Sequence, residues 1–498
     1  NGSRKAAALL PLLAGLFLLL RLAYVFKAIV PLYFDSPQHY QYIHAILAGL
    51  GKAGTAAGSL PGYYHLGFHF LSAWITDLTQ AGITDVMLVL GQIILALSPF
   101  SIFFIVRHWT HSNLAAFLAL VVAAFGWYMP AHAVDWGKYP ALASLAIIPF
   151  VLSLVYLFAE YRNMLPGRKY AGLIVLLLAG GMVSVLLHSR SLIVYLLLSI
   201  AWLVTALWKR AGGKMRFLLF SLFFLILVGE IVFIQYKGFL GPLFDAYGVK
   251  AIVIGASVLV LSLFALRSYP GLVLFCIVSI LLLLASLFVP LINIIPGFAS
   301  TSLLDRPYVQ MILYLPLTLI AGFGVAGLEH MLEGRKIIFG NKQLAAGKIF
   351  GGLLILLVTV NAAFQYDFYP SDCCQIASRD DLAAIHWLDE NLPRDALILT
   401  SSTNMNVLPN GQYQGNAGGD AGTWITPLTG RPVVYLPFSA DFSQQQTLDL
   451  LCQQGAHYIF VGKTGWGFDD ARMNTQPDAY KLILQLPKTR LYQVTACR

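Results

Sequence analysis

The sequence predicts a polytopic α-helical membrane protein with a small α/β domain at its C-terminal end. Three observations carry that prediction. Of 498 residues, 58% are hydrophobic and 11% charged, against about 45–50% and 25% in soluble domains. Eleven segments are apolar over, or nearly over, the length needed to cross a bilayer, which is about 20 residues for a hydrocarbon core of roughly 30 Å. Charge is also unevenly divided: residues 1–366 hold 23 basic and 10 acidic side chains, residues 367–498 hold 9 and 13. The net charge of +9 therefore sits among the apolar segments, where it reports topology rather than nucleic-acid binding, and nucleic acid is not an expected partner.

The predicted spans are 6–27, 84–107, 113–129, 139–160, 170–188, 191–208, 215–236, 249–266, 270–290, 308–331 and 347–366. The first follows Arg4 and Lys5 like a signal peptide but lacks a small-residue cleavage site, so it is read as a retained span. A cytoplasmic N-terminus places 15 basic residues in inner loops and seven in outer ones, which satisfies the positive-inside rule. This topology requires that residues 62–78 do not cross. The stretch is short and carries Tyr63, Tyr64, His65, His69 and Asp77, which suits a helix at the interface.

An odd number of spans puts the tail, residues 367–498, outside. The transmembrane domain is thus 1–366, including a long first outer loop, 28–83, and the protein is expected in a cell membrane with its C-terminal domain extracytoplasmic. The tail reads as helix Asp380–Asn391, strands Ala396–Thr400 and Pro432–Leu436, helix Thr447–Gln454, strand His457–Val461, a helical pattern over Tyr480–Leu486 and strand Leu491–Val494. It has no Gly-rich nucleotide loop. Cys373, Cys374, Cys452 and Cys497 lie in it, and an oxidising compartment permits disulfides. A link from Cys373 or Cys374 to Cys452 or Cys497 would tie its ends; four free thiols are the alternative.

The outer loops carry the unusual polar residues. Tyr33-Phe34-Asp35-Ser36-Pro37-Gln38-His39-Tyr40 follows the first span. A carboxylate at that depth is costly unless it lines a wet cavity or meets a cation, although Asp35-Ser36-Pro37 also suits a helix start. His65 and His69 stand at i, i+4, a spacing for metal ligation or for hydrogen-bonded interfacial histidines. His132-Ala133-Val134-Asp135-Trp136-Gly137-Lys138-Tyr139 offers an Asp135–Lys138 pair, Lys138 as a phosphate contact, and aromatic faces for sugar stacking or interfacial anchoring. His188-Ser189-Arg190-Ser191 forms a tight outer turn whose Arg suits phosphate or snorkels to headgroups. Asp305-Arg306 opens a late span, an acid and an Arg at the mouth of a helix that could instead form an internal ion pair. One acid near several phosphate-type donors suits a reaction in which a lipid-linked phosphate leaves and an acceptor loses a proton.

In this organisation the chain resembles the GT-C superfamily of integral-membrane glycosyltransferases, which use polyprenyl-phosphate-linked sugars. Residues 33–40, Leu60-Pro61-Gly62-Tyr63-Tyr64-His65, Asp305-Arg306 and the Ala383–Pro393 stretch opening the tail carry the local similarity. The resemblance implies an inverting transfer to a lipid, glycan or protein acceptor in the cell envelope, at a bacterial inner membrane. Asp35 would be the base, or orient a metal or the acceptor, Arg306, Arg190 and Lys138 would be the donor-phosphate contacts, and His39, Tyr64, His65, Asp135, Trp136, His188 and Asp305 the substrate-binding residues. It departs from members with paired acids in the first loop, since Ser36 follows Asp35, and it lacks an evident sequon-recognition motif, which disfavours protein N-glycosylation. Metal dependence is left open: Asp35, His65 and His69 are the candidate ligands for a Mg or Mn ion, and no other cofactor is expected. Expected partners are membrane lipids, the donor, the acceptor and subunits of a membrane complex. Two other classes compete: a catalytically silent structural subunit of such a complex, and a lipid-linked substrate transporter or flippase, against which stand the lack of an internal repeat and the scarcity of mid-membrane ionisable residues beyond Arg21 and Glu230.

Overall fold

The computed structural model describes residues 2–50, 65–161, 167–238, 240–249, 251–289, 302–339, 342–404 and 416–497. Among these, nine helices are long and apolar enough to cross a membrane, and two shorter apolar helices, Ile252–Ser268 and Pro270–Ala285, occupy the remaining predicted positions. All eleven expected spans are therefore helical. Burial separates them: 89% of the apolar window of Arg306–Met331 is inside the protein, against 11% for Gly213–Tyr236. The former is the axis of the bundle and the latter faces outward.

The central helix is buried because it is small on one side. Gly324 and Gly327 lie against the backbone of Leu261 and Phe264, so closely that a Cβ at either position would overlap a carbonyl. Close backbone approach at small residues is how apolar helices pack without a hydrophobic driving force between them. Gly67–Thr79, by contrast, is a 13-residue helix, about 20 Å long at 1.5 Å per residue and too short to span. Phe68 and His69 face inward while Phe70, Trp74 and Leu78 are exposed, the amphipathic arrangement expected of the segment read as non-crossing.

The tail forms a six-stranded mixed sheet. Ile398–Asn404 is central, flanked in parallel by Val433–Pro437 and Tyr458–Gly462. Thr489–Val494 pairs antiparallel with Tyr458–Gly462 and in turn with Tyr480–Gln485 at the edge. Asn416–Gly418 adds an antiparallel strand to the end of the central one. Helices Arg379–Asn391 and Gln445–Gln454 fall at their predicted places. Tyr480–Leu486 does not: its run of Leu, Ile and Leu satisfies either period, and the short turn to Thr489 makes it a hairpin strand. A second hairpin, Lys336–Phe339 with Lys342–Ala345, lies between the last two spans and was not anticipated.

Cys452 pairs with Cys497, and neither Cys373 nor Cys374 takes part in that bond. The expected link through Cys373 or Cys374 is thus corrected: the bond joins the helix Gln445–Gln454 to the segment after the last strand. Cysteine connectivity depends on which strand edges meet, which spacing does not encode. Trp424 and Arg431 are both buried in the core of the tail domain. Arg431 donates to the carbonyls of Asp389, Leu392 and Pro393, satisfying the end of helix Arg379–Asn391. Tyr40 meets Trp424 edge-on, ring centroids 5.8 Å apart, so the first-loop helix is seated on the tail domain.

Candidate active site

Asp35 opens the helix Asp35–Leu50. The chain reaches it through Tyr33, whose φ of +66° turns the backbone and whose amide donates to the carbonyl of Cys374 at 3.1 Å. The Asp35 carboxylate is ion-paired with Lys138, which immediately precedes helix Tyr139–Tyr161. The expected helix start and the expected cation contact coexist at this residue. Side-chain exposures of 27% for Lys138 and 19% for Asp35 leave both reachable from the adjoining cavity.

Gly137 makes that pairing. Its φ is +65°, a conformation that costs a non-glycine residue about 1–3 kcal/mol. A Cβ there would stand 2.5 Å from Ser36 Oγ and 3.1 Å from the Leu32 carbonyl. Gly137→Ala is therefore expected to lower thermal stability and to disrupt the Lys138–Asp35 pair, whereas Gly181→Ala, with nothing within 4 Å of its Cβ, is expected to be neutral. Equal melting temperatures for the two variants in detergent would contradict this.

A second ion pair joins Arg190 to Asp305. Arg190 is held in the turn between two spans, where Ser191 Oγ donates to the His188 carbonyl at 2.8 Å. Asp305 caps the helix Arg306–Ile312, accepting from the Tyr308 amide at 2.9 Å. Both pairs line one cavity of about 170 Å³ with His39, His65, His188 and Gln38. Burial alone would raise the Asp305 carboxyl, but Arg190 and Lys138 outweigh it and hold it below its ordinary value. Burial likewise opposes the Lys138 ammonium, and Asp35 and Asp305 keep its pKa raised. The cavity thus holds two cations and two anions in mutual balance, which an entering anion would redistribute.

The histidines around it are neutral. Burial, then Lys138, pushes His39 down to about 3; burial, then Arg190, pushes His65 to about 4; His188 is lowered by burial and by His65, Arg190 and Lys138. His69 lies on His39, Nε2 to Nδ1 2.9 Å, and is lowered by burial and then by His39. For each, the folded pKa lies below the ordinary 6.5, so the unfolded chain binds protons first as pH falls. This contribution is complete above about 6.5 and is lost as pH falls toward 4, at roughly 1.4 kcal/mol per pH unit for each histidine. The melting temperature in detergent is expected to fall steeply between pH 6.5 and 4, and His39→Gln is expected to flatten that slope. A pH-independent melt would contradict the assignment.

Several expected partners are elsewhere. Asp135 does not pair with Lys138: because the backbone reverses at Gly137, it points to a second cavity of about 460 Å³ lined also by Arg21, Tyr24, Tyr128 and His132. There it accepts from Tyr24 Oη at 2.8 Å and from the Ser371 amide at 3.1 Å, and bonds His132 Nδ1 at 2.7 Å. Trp136 lies edge-on to His132, away from Asp35's cavity. Arg306 is not among that cavity's lining residues, and Asp305 pairs with Arg190 rather than with its neighbour. His65 precedes its helix and packs on His188, ring centroids 4.0 Å apart, so the i, i+4 face with His69 does not form. Among the described residues, Asp35, His65 and His69 do not make a cluster of metal-type donors; the group that does is His132, Cys373 and Cys374. Tyr64 lies outside the described residues. Arg21 donates to the Ala124 carbonyl at 2.8 Å, inside a π-helical turn, and lies over the Tyr366 ring, a local role for a mid-span cation. Sequence reasoning missed Gln38 in the first cavity and Tyr24 and Cys373 around the second; no spacing links the latter, since Cys373 and His132 are 241 positions apart.

Residues 3–237 match a family of unknown function, DUF6541. No curated protein matches the chain. Among solved structures it is similar to ArnT from Cupriavidus metallidurans in the apo state, with a TM-score of 0.56 at 12% identity, covering 100% of this chain and 99% of that one. It is also similar to the arabinofuranosyltransferase AftD from Mycobacteria, with a TM-score of 0.54 at 12% identity, covering 98% of this chain but 40% of that one. The fold is thus GT-C-like, a polytopic helical domain followed by a C-terminal α/β domain.

Proposed function

We propose that the protein is a membrane glycosyltransferase that moves a sugar from a polyprenyl-phosphate donor to a hydroxyl or amine acceptor at the outer face of the membrane. The observation that carries the reading is the meeting of two ion pairs, Asp35–Lys138 and Arg190–Asp305, in one cavity. In support of the class, the fold is shared with an arabinofuranosyltransferase. The donor phosphate sits between Lys138 and Arg190, which trade their carboxylate partners for it. Drawing Lys138 toward the phosphate releases Asp35, which then takes the acceptor proton. The acceptor oxygen or nitrogen bonds the anomeric carbon as the carbon–oxygen bond to phosphate breaks, its electron pair leaving with the polyprenyl phosphate, and configuration inverts. The neutral histidines contribute hydrogen bonds to sugar hydroxyls without competing for the phosphate charge.

The test is turnover by the purified protein in vesicles supplied with polyprenyl-phosphate sugars and an envelope lipid or glycan extract. The expected result is sugar-dependent release of polyprenyl phosphate and a product of inverted anomeric configuration. Release that is identical in the Asp35→Asn variant would overturn the reading.

A further inference from the structure

We propose that His132, Cys373 and Cys374 form a binding site for a thiophilic divalent ion, zinc, between the helical bundle and the start of the tail domain. The site is separate from the Asp35 cavity and stands or falls independently of the transferase reading. One donor atom from each of the three residues lies within 4.8 Å of the others, and Cys373 Sγ is 4.0 Å from His132 Nε2. Tetrahedral zinc, with bonds of about 2.3 Å to sulfur and about 2.0 Å to nitrogen, places its donors roughly 3.5–3.8 Å apart, so the three need close by less than about 1.3 Å. The two cysteines lie in the short 3-10 turn Asp372–Cys374. Thiolate and imidazole donors select zinc over the oxygen-preferring magnesium and manganese.

The histidine is already oriented for the role. Its Nδ1 is held by the buried Asp135 carboxylate at 2.7 Å, which leaves Nε2 as the nitrogen on the Cys373 side, shared between Tyr128 Oη and Cys373 Sγ. A carboxylate behind a ligating histidine fixes its tautomer and raises its basicity. Asp135 is itself fixed by Tyr24 Oη and the Ser371 amide, so the bundle and the tail linker converge on one support. Tyr128 Oη, 2.8 Å from Nε2, must turn aside when the ion binds. Binding converts two thiols to thiolates and releases their protons, so affinity falls with acid. Three protein donors leave one tetrahedral position for water or a ligand, next to the second cavity, which His132 lines.

The experiment loads the full-length purified protein with zinc alone, removes excess ion and measures bound metal, with cobalt(II) as a spectroscopic substitute. The expected result is about one zinc per chain, thiolate-to-cobalt charge-transfer absorption, and protection of Cys373 and Cys374 from alkylation. Cys373→Ser/Cys374→Ser is expected to abolish all three, and Asp135→Asn to weaken affinity roughly 10–100-fold. The melting temperature in metal-free buffer controls for folding of each variant. Zinc binding that survives the double serine variant, alkylation that zinc does not slow, or a Cys373–Cys374 disulfide in the unreduced protein would each overturn the site.

Discussion

Asp35→Asn is expected to lower turnover by roughly 10²–10⁴-fold, the usual contribution of a general base, while leaving the donor KM unchanged or lower. The direction of the KM effect follows from the ion pair. Asparagine keeps the shape and hydrogen-bonding capacity of Asp35 but not its charge, so Lys138, which pairs with Asp35 in the unliganded protein, has less to give up when a phosphate arrives. A purely structural role for Asp35 predicts the opposite pattern, with lost stability and little change in turnover per folded molecule. Steady-state kinetics on detergent-purified protein, normalised to folded material, separate the two; near-wild-type turnover removes Asp35 from the chemistry.

The second large effect falls on Arg190. Replacing it with glutamine removes a forked donor suited to phosphate and leaves the Asp305 carboxylate, held low by Arg190 and Lys138, short of a partner. Hydrogen bonds to charged groups contribute about 1.5–3 kcal/mol, so the donor KM is expected to rise roughly 10–100-fold, with part recovered by Arg190→Lys, which restores charge but not the fork. Arg306→Gln serves as the comparison. Arg306 does not line the Asp35 cavity, and its substitution is expected to change the donor KM less than threefold. A larger effect at Arg306 than at Arg190 would place the phosphate elsewhere.

The architecture was largely legible because it follows from composition over long windows. A span needs about 20 apolar residues whatever its neighbours are, and each of the eleven predicted positions holds an apolar helix. Residue types at the mouths of the spans pointed to Asp35, Lys138, Arg190 and Asp305, and these four line one cavity. Their pairing was not legible. Lys138 lies three positions from Asp135 yet binds Asp35, because a positive φ at Gly137 turns the two side chains to different cavities. Asp305 lies beside Arg306 yet binds Arg190, 115 positions away, because an N-cap carboxylate faces back over its helix rather than along the chain. Long-range pairs of this kind depend on helix packing, and neither hydrophobic period nor spacing records it.

The central claim is that the cavity between the two ion pairs receives a lipid-linked phosphate. An electron cryo-microscopy map of the protein purified with its native lipids, or supplied with a polyprenyl-phosphate sugar, tests it most directly. The account predicts elongated density entering from the membrane, its head between Lys138 and Arg190, with Lys138 drawn away from Asp35. Density seated in the larger cavity beside Asp135, or ion pairs left intact in the presence of saturating donor, would contradict it.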